Sequence, residues 1–168
     1  RSIFGIITLP PENMAKAARA AKAQLFLMIS GLGAGDVENS AAAVAKGQAE
    51  IAAAKAFPGT IVLRPSVVFG SGDRFFNKMA SMARFSPVLP LIGGGTVPCQ
   101  PVFVGDVAEA VARLIDQGQA NGKTYELGGP EVATMREITQ FTLDTVYRKR
   151  VLLPLPWSIS KLIGALAS

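Results

Sequence analysis

Ser30 and Lys46 are the first pair whose types and spacing could do chemistry: a hydroxyl at the end of an apolar run and an amine on the segment that follows. In a reductase such an ammonium binds ribose hydroxyls and lowers the pKa of a nearby phenol that acts as general acid. One helical turn before Lys46 stands Ala42, and the only tyrosines, Tyr125 and Tyr147, belong to later segments. The pattern lacks its phenol. Taken alone, Lys46 reads as a solvated helix lysine.

A second candidate is Arg64-Pro65-Ser66-Val67-Val68-Phe69-Gly70, just after a predicted buried strand. Proline there ends the sheet ladder and sets the chain direction, so the following amides and small side chains lie at a carboxyl edge where a flat ring could rest. The plain alternative is a strand-to-loop exit with aliphatic packing. Gly31-Leu32-Gly33-Ala34-Gly35-Asp36 invites a dinucleotide fingerprint, but the third glycine of that motif falls on Asp36, whose carboxylate would meet the pyrophosphate. A strand-to-helix connection fits better. Gly93-Gly94-Gly95 is followed by Thr96-Val97-Pro98, which supplies no helix start for an anion, so a loop turn is expected.

Composition narrows the chemistry further. The 168 residues include no His and one Cys, Cys99, which excludes a catalytic His base, a Cys/His dyad, a disulfide framework and a multi-ligand zinc site. No metal is expected. The net charge of +5 would suit nucleic acid, an anionic membrane or a phosphorylated cofactor, yet the 17 basic residues are dispersed, with Arg148-Lys149-Arg150 the one run. Aromatics make up 7% of the chain, too few to stack on bases, so no nucleic-acid partner is expected. No uncharged apolar stretch reaches the roughly 20 residues that span a bilayer, which leaves a soluble chain or one lying on a membrane surface. The start, Arg1-Ser2-Ile3-Phe4, has neither an initiator Met nor a signal-peptide layout and reads as cut from a longer chain.

The elements that must position these residues alternate in type. Pro10-Pro11 opens a predicted helix over 12–23, and 25–29 is a continuous apolar run of the kind buried on both faces of a parallel sheet. A loop over 31–39 leads into an alanine-rich helix over 40–57, whose small residues suit close helix packing or a dimer face. A strand follows over 60–63, a helix over 74–85 and a short strand over 101–104. Asp106-Val107-Ala108-Glu109 has capping-box spacing, a strand covers 124–127, and Thr134-Met135-Arg136-Glu137 is a capping box that opens a helix to about Tyr147. An extended piece over 152–155 precedes a final helix from Pro156. This order predicts an α/β fold, a Rossmann-like doubly wound parallel sheet with ligand at the carboxyl ends of the strands. One domain over 1–168 is expected, with 1–70 forming the later part of a dinucleotide-binding sheet and 71–168 a mixed C-terminal lobe.

Taken together, Arg64 to Gly70, Asp73-Arg74-Phe75-Phe76-Asn77, Met79 to Phe85, Gln100 to Val107, Gly122 to Pro130 and Leu153-Pro154-Leu155-Pro156 resemble the short-chain dehydrogenase/reductase superfamily in its extended and atypical branches. The resemblance is narrowest to the NADPH-binding accessory subunits of respiratory complex I and their bacterial relatives. It covers about 13–162 and only the later part of a family member, without the phosphate-binding start. It implies a cofactor, NADP(H) or NAD(H), with Ser30, Lys46, Pro65, Ser66, Val67 and Val68 lining its nicotinamide end. The family tyrosine maps onto Ala42, and a methyl group cannot donate a proton, which implies nucleotide held without turnover. Other complex I subunits are the implied partners. The implied place is the cytoplasmic face of a bacterial inner membrane or the matrix side of the mitochondrial one.

The carboxyl end carries Arg148-Lys149-Arg150 before an apolar segment with Trp157. Residues 148–168 therefore suit an interfacial helix on anionic lipid, or equally a terminal helix folded back on its own sheet. Two other functional readings stay open: a free-standing NAD(P)-dependent reductase, epimerase or dehydratase of the same superfamily, and an interaction module with an empty nucleotide site.

Overall fold

The computed structural model describes residues 3–36 and 40–158, with side chains from Leu9 onward. Two compact units interleave along the chain: the first takes residues 1–66 and 104–128, the second 67–103 and 129–168.

The first unit holds α1 (Ile3–Ala20), β1 (Leu27–Ile29), α2 (Ala41–Ala56), β2 (Ile61–Pro65), α4 (Val104–Gln117) and β7 (Thr124–Leu127). Its three strands pair in parallel in the order β1-β2-β7, with Leu27 opposite Ile61 and Leu63 opposite Tyr125. Alternation along the first strand decides which layer each side chain joins. Phe26 and Met28 pack with Ala15 of α1, with Ala53 of α2 and with Phe57 just after it, whereas Leu25 and Leu27 join Ile61, Leu63, Leu114 and Tyr125 under α4. Helices thus cover both faces of a parallel sheet, and the Rossmann-like reading of the sequence holds.

Two local details depart from the expectation. Helix α1 begins well before Pro10 and carries Pro10 and Pro11 inside it. A proline ring fixes φ at a helical value, but each ring forfeits its own N–H bond and crowds the carbonyl four residues earlier, a local cost that the helix bears at the pair. At the other end of its sheet run, Ile29 is 57% exposed, because β1 has a strand neighbour on one side only among the described residues.

Helix α2 behaves as its sequence demands. Ser40 caps it, its hydroxyl accepting from the Ala43 N–H at 3.0 Å, and Ala45, Gly47, Ala49 and Ala53 are buried. The smooth face therefore serves packing against α1 inside the unit, the commoner use of such alanines. The helix expected from Asp106 starts at Val104, which places Asp106 in the first turn, where its charge favours the helix dipole without capping it.

The second unit contains β3 (Val68–Phe69), α3 (Phe75–Phe85), β4 (Val88–Ile92), β5 (Pro98–Cys99), β6 (Val102–Phe103), β8 (Ala133–Thr134), α5 (Met135–Thr145) and β9 (Val151–Leu155). Strands β3 and β6 pair in parallel, as do β4 and β9, while β5 and β8 are antiparallel. Strand β4 had no counterpart among the sequence-predicted elements. Pro90 sits in its middle, and proline is tolerated there because β4 pairs with one neighbour and needs no second row of donors. Ala83, Leu89 and Leu143 form the core of this unit, with Leu152 against them.

Arg150 splits the basic run: its Nε donates to the Ala83 carbonyl at 2.7 Å at the end of α3, while Arg148 and Lys149 are exposed. Of the terminal helix expected from Pro156, residues 157–158 are helical and the rest lies outside the described residues.

The capping box at α5 is complete. Glu137 N–H donates to the Thr134 hydroxyl, and the Glu137 carboxylate accepts from the Thr134 N–H at 2.7 Å. These bonds favour the charged form, the backbone donor most, and hold the Glu137 pKa below the usual carboxylate value. A lowered folded-state pKa contributes stability above the unfolded value of about 4.3 and loses it as pH falls through the folded value. Glu137→Gln should therefore lower the urea midpoint at neutral pH, with the gap to the parent chain closing on acidification below about pH 4. A gap that is constant with pH would contradict the assignment.

Candidate functional site

The carboxyl ends of β1 and β2 lie side by side, and the chain beyond β1 stays bound to β2. Ser30 N–H donates to the Leu63 carbonyl at 2.7 Å and Leu32 N–H to the Pro65 carbonyl at 3.0 Å. Ser66 N–H in turn reaches the Leu127 carbonyl at 2.8 Å, which carries the parallel register past Pro65. Ser30, Pro65 and Ser66 therefore occupy one edge of the sheet, the edge at which open α/β sheets take their ligands.

Lys46 meets this edge from α2. A Cβ built on Gly31 would lie 2.8 Å from Lys46 Nζ, so the ammonium rests against the residue that follows Ser30. Ala42 and Lys46 are four residues apart on α2 and share a face, with the half-buried methyl of Ala42 where a phenol would stand. Tyr125 does not replace it. Its ring packs with Ile61, Leu63 and Leu114 on the α4 side of the sheet, and its hydroxyl accepts from Asn121 Nδ2 at 3.0 Å. Tyr147 belongs to the second unit and is 94% exposed. The Ser30 hydroxyl is the one buried side-chain polar atom without a hydrogen-bond partner among the described residues. An orphaned buried hydroxyl beside a cation suits a polar ligand group that completes its bonding.

Sequence reasoning missed what holds this arrangement together. Arg64 donates from Nε to Glu50 Oε1 at 3.1 Å and from Nη2 to Oε2 at 2.7 Å, a two-pronged pair that ties α2 to β2 one turn beyond Lys46. Glu126 of β7 adds a longer contact at 3.5 Å. The Glu50 side chain is 9% exposed, and these carboxylates, Glu50 first, push the Arg64 pKa up. The visible signal was a glutamate four residues beyond Lys46 on a helix otherwise rich in alanine.

The glycine loop has a structural job. Ala34 N–H bonds Gly31 O, Gly35 N–H bonds Ala43 O and Asp36 N–H bonds Gly33 O, so these amides are spent internally and do not form an anion cradle. Gly35 presses on Gly47, where a Cβ would come within 2.5 Å of the Gly35 Cα. Val67 and Val68 lie in the second unit, where Val67 O accepts from Val102 N–H at 2.9 Å and Val68 pairs with Val102. Cys99 is half-buried, and burial raises its thiol pKa, which keeps it protonated and a poor nucleophile.

No protein-family model matches the chain. It is 40% identical over 141 residues to the mitochondrial NADH dehydrogenase [ubiquinone] 1 alpha subcomplex subunit 9 of Arabidopsis thaliana, covering 83% of this chain and 35% of that protein. The chain is a homologue of this complex I subunit. The mouse protein of the same name is 32% identical over 158 residues, 93% of this chain and 41% of its own length. The chain thus spans well under half the length of these relatives. In fold it matches a dTDP-glucose 4,6-dehydratase from Bacillus anthracis solved with NAD, with TM-score 0.76 and 17% identity over 91% of this chain and 56% of that one. The short-chain dehydrogenase/reductase fold read from the motifs is the fold observed.

Two substitutions test the geometry. Gly47→Ala should cost about 1–3 kcal/mol, since backbone opposes the added methyl, read from chemical denaturation. Glu50→Ala leaves the Arg64 guanidinium with the longer Glu126 contact and should cost about 1–3 kcal/mol. A Glu50→Ala chain as stable as the parent would show that the pair does not hold α2 to β2.

Proposed function

We propose that this chain serves in an accessory subunit of respiratory complex I that binds NADP(H) or NAD(H) without turning it over and stabilises the complex near its membrane junction. The 40% identity with the plant complex I subunit carries this reading. The dehydratase of like fold was solved with NAD, which supports a dinucleotide as the ligand class.

Ser30, Lys46, Pro65 and Ser66 are the residues of the first unit assigned to the nicotinamide end. The fit rests on the unpartnered Ser30 hydroxyl, which a ribose or carboxamide group would satisfy, and on the Lys46 ammonium, which donates to ribose hydroxyls. When bound, a nicotinamide supplies hydride chemistry, and the side chain needed to pass a proton to a carbonyl substrate is a methyl at Ala42. Ligand here is structural. It stabilises the folded chain by mass action and helps hold the subunit in its complex.

The other complex I subunits are the proposed partners, and a peripheral place on the inner membrane follows from them. No described helix is long and apolar enough to cross a membrane.

The intact protein should release NADP(H) or NAD(H) on denaturation. Saturating nucleotide, at about 100 times Kd, should raise Tm by roughly 5–10 °C, a shift that Lys46→Ala reduces. Deleting the chain in its source organism should deplete assembled complex I on native gels. Absence of both bound nucleotide and a Tm shift would overturn the binding claim, steady NADPH oxidation with carbonyl substrates the non-catalytic claim, and unchanged complex I the assignment to that assembly.

A further inference from the structure

The second unit contains a groove of its own. Helices α3 and α5, strand β4 and Trp157 enclose about 550 Å³, a volume within the usual range of small-molecule sites. Met79, Met82 and Met135 supply much of its wall, and methionine is the side chain best able to adapt to a flexible apolar guest. The Trp157 indole lies flat over Gly93, where a Cβ would come within 2.6 Å of the ring, so the glycine makes room for that wall.

Two cations, Arg74 and Lys78, stand four residues apart at the start of α3 and belong to the lining. They share a helix face. No carboxylate lines the groove, and neither cation has an ion-pair partner among the described residues. The neighbouring Asp73 spends Oδ1 on the Phe76 N–H at 2.6 Å. An apolar trough with an unneutralised positive end is complementary to an amphiphile with an anionic head and a long hydrocarbon tail.

We propose that this groove binds the acyl chain of an anionic lipid, with Arg74 and Lys78 holding the head group and Met79, Met82, Met135 and Trp157 the chain. This site is independent of the nucleotide reading. It stands or falls separately.

Trp157 is the single tryptophan, so its fluorescence reports on the groove directly. The full chain is titrated with 9,10-dibromostearate below its micellar concentration, whose bromines quench a tryptophan in contact with the tail. Saturable quenching is expected, with the methyl ester of the same acid, which lacks the charge, binding at least about tenfold more weakly. Arg74→Gln combined with Lys78→Gln should weaken the acid by a similar factor and leave the ester unchanged. Met82→Glu, at a position 37% exposed and so tolerant of change, should abolish quenching while the circular dichroism and Tm remain those of the parent. Inorganic phosphate should leave the emission as it was. No quenching, equal affinity for acid and ester, or insensitivity to the cation variants would overturn the proposal. So would a Trp157 emission already typical of a buried indole and unmoved by the acid, the mark of a groove filled by residues 159–168.

Discussion

The bidentate contact between Arg64 and Glu50 is the interaction on which the candidate site depends. Lys46 rides on α2, Ser30 and Pro65 ride on the sheet, and α2 meets the strands otherwise through apolar packing such as that of Ala53 against Phe26 and Met28. A guanidinium fork with fixed geometry adds direction to that packing. The Gly35–Gly47 contact does the same from the loop side, by allowing backbone to approach backbone with no side chain between. Between them these two contacts set where the Lys46 ammonium stands against Gly31.

That placement sorts the polar groups at the sheet edge into spent and unspent. The amides of Leu32, Ala34, Gly35 and Asp36 all find carbonyls within the unit, and so does Ser30 N–H. The Ser30 hydroxyl does not. A loop with its donors satisfied does not form an anion cradle, whereas the unpartnered Ser30 hydroxyl can complete the bonding of a polar group.

The second unit is organised differently. Its strands pair only two by two, and its core rests on few large side chains, Leu89 and Leu143 among them. Short paired strands leave one face of β4 and β9 without cover, so Val88, Ile92, Val151 and Leu153 remain exposed. The methionine-lined groove adjoins β4 and carries two cations that make no ion pair among the described residues. Apolar surface of this kind beside unpaired charge is costly in water and is retained where something else covers it.

Local patterns along the chain determined the elements whose signals are short-range. The apolar run ending at Ile29, the alanine-rich helix after the glycine loop, the β7 strand and the Thr134–Glu137 box were legible because strand patterning and helix capping are decided within four residues. The place of Lys46 on α2 and of Ser30 just after β1 followed from the same short-range signals. The Arg64–Glu50 pair, strand β4 across Pro90 and the inward turn of Arg150 toward Ala83 were not. Each depends on partners 14 to 67 residues away, and no local pattern distinguishes an arginine that will find a buried carboxylate from one that will stay in water. Tertiary structure alone made that choice, because the cost of burying a charge is met only by the partner that folding brings to it.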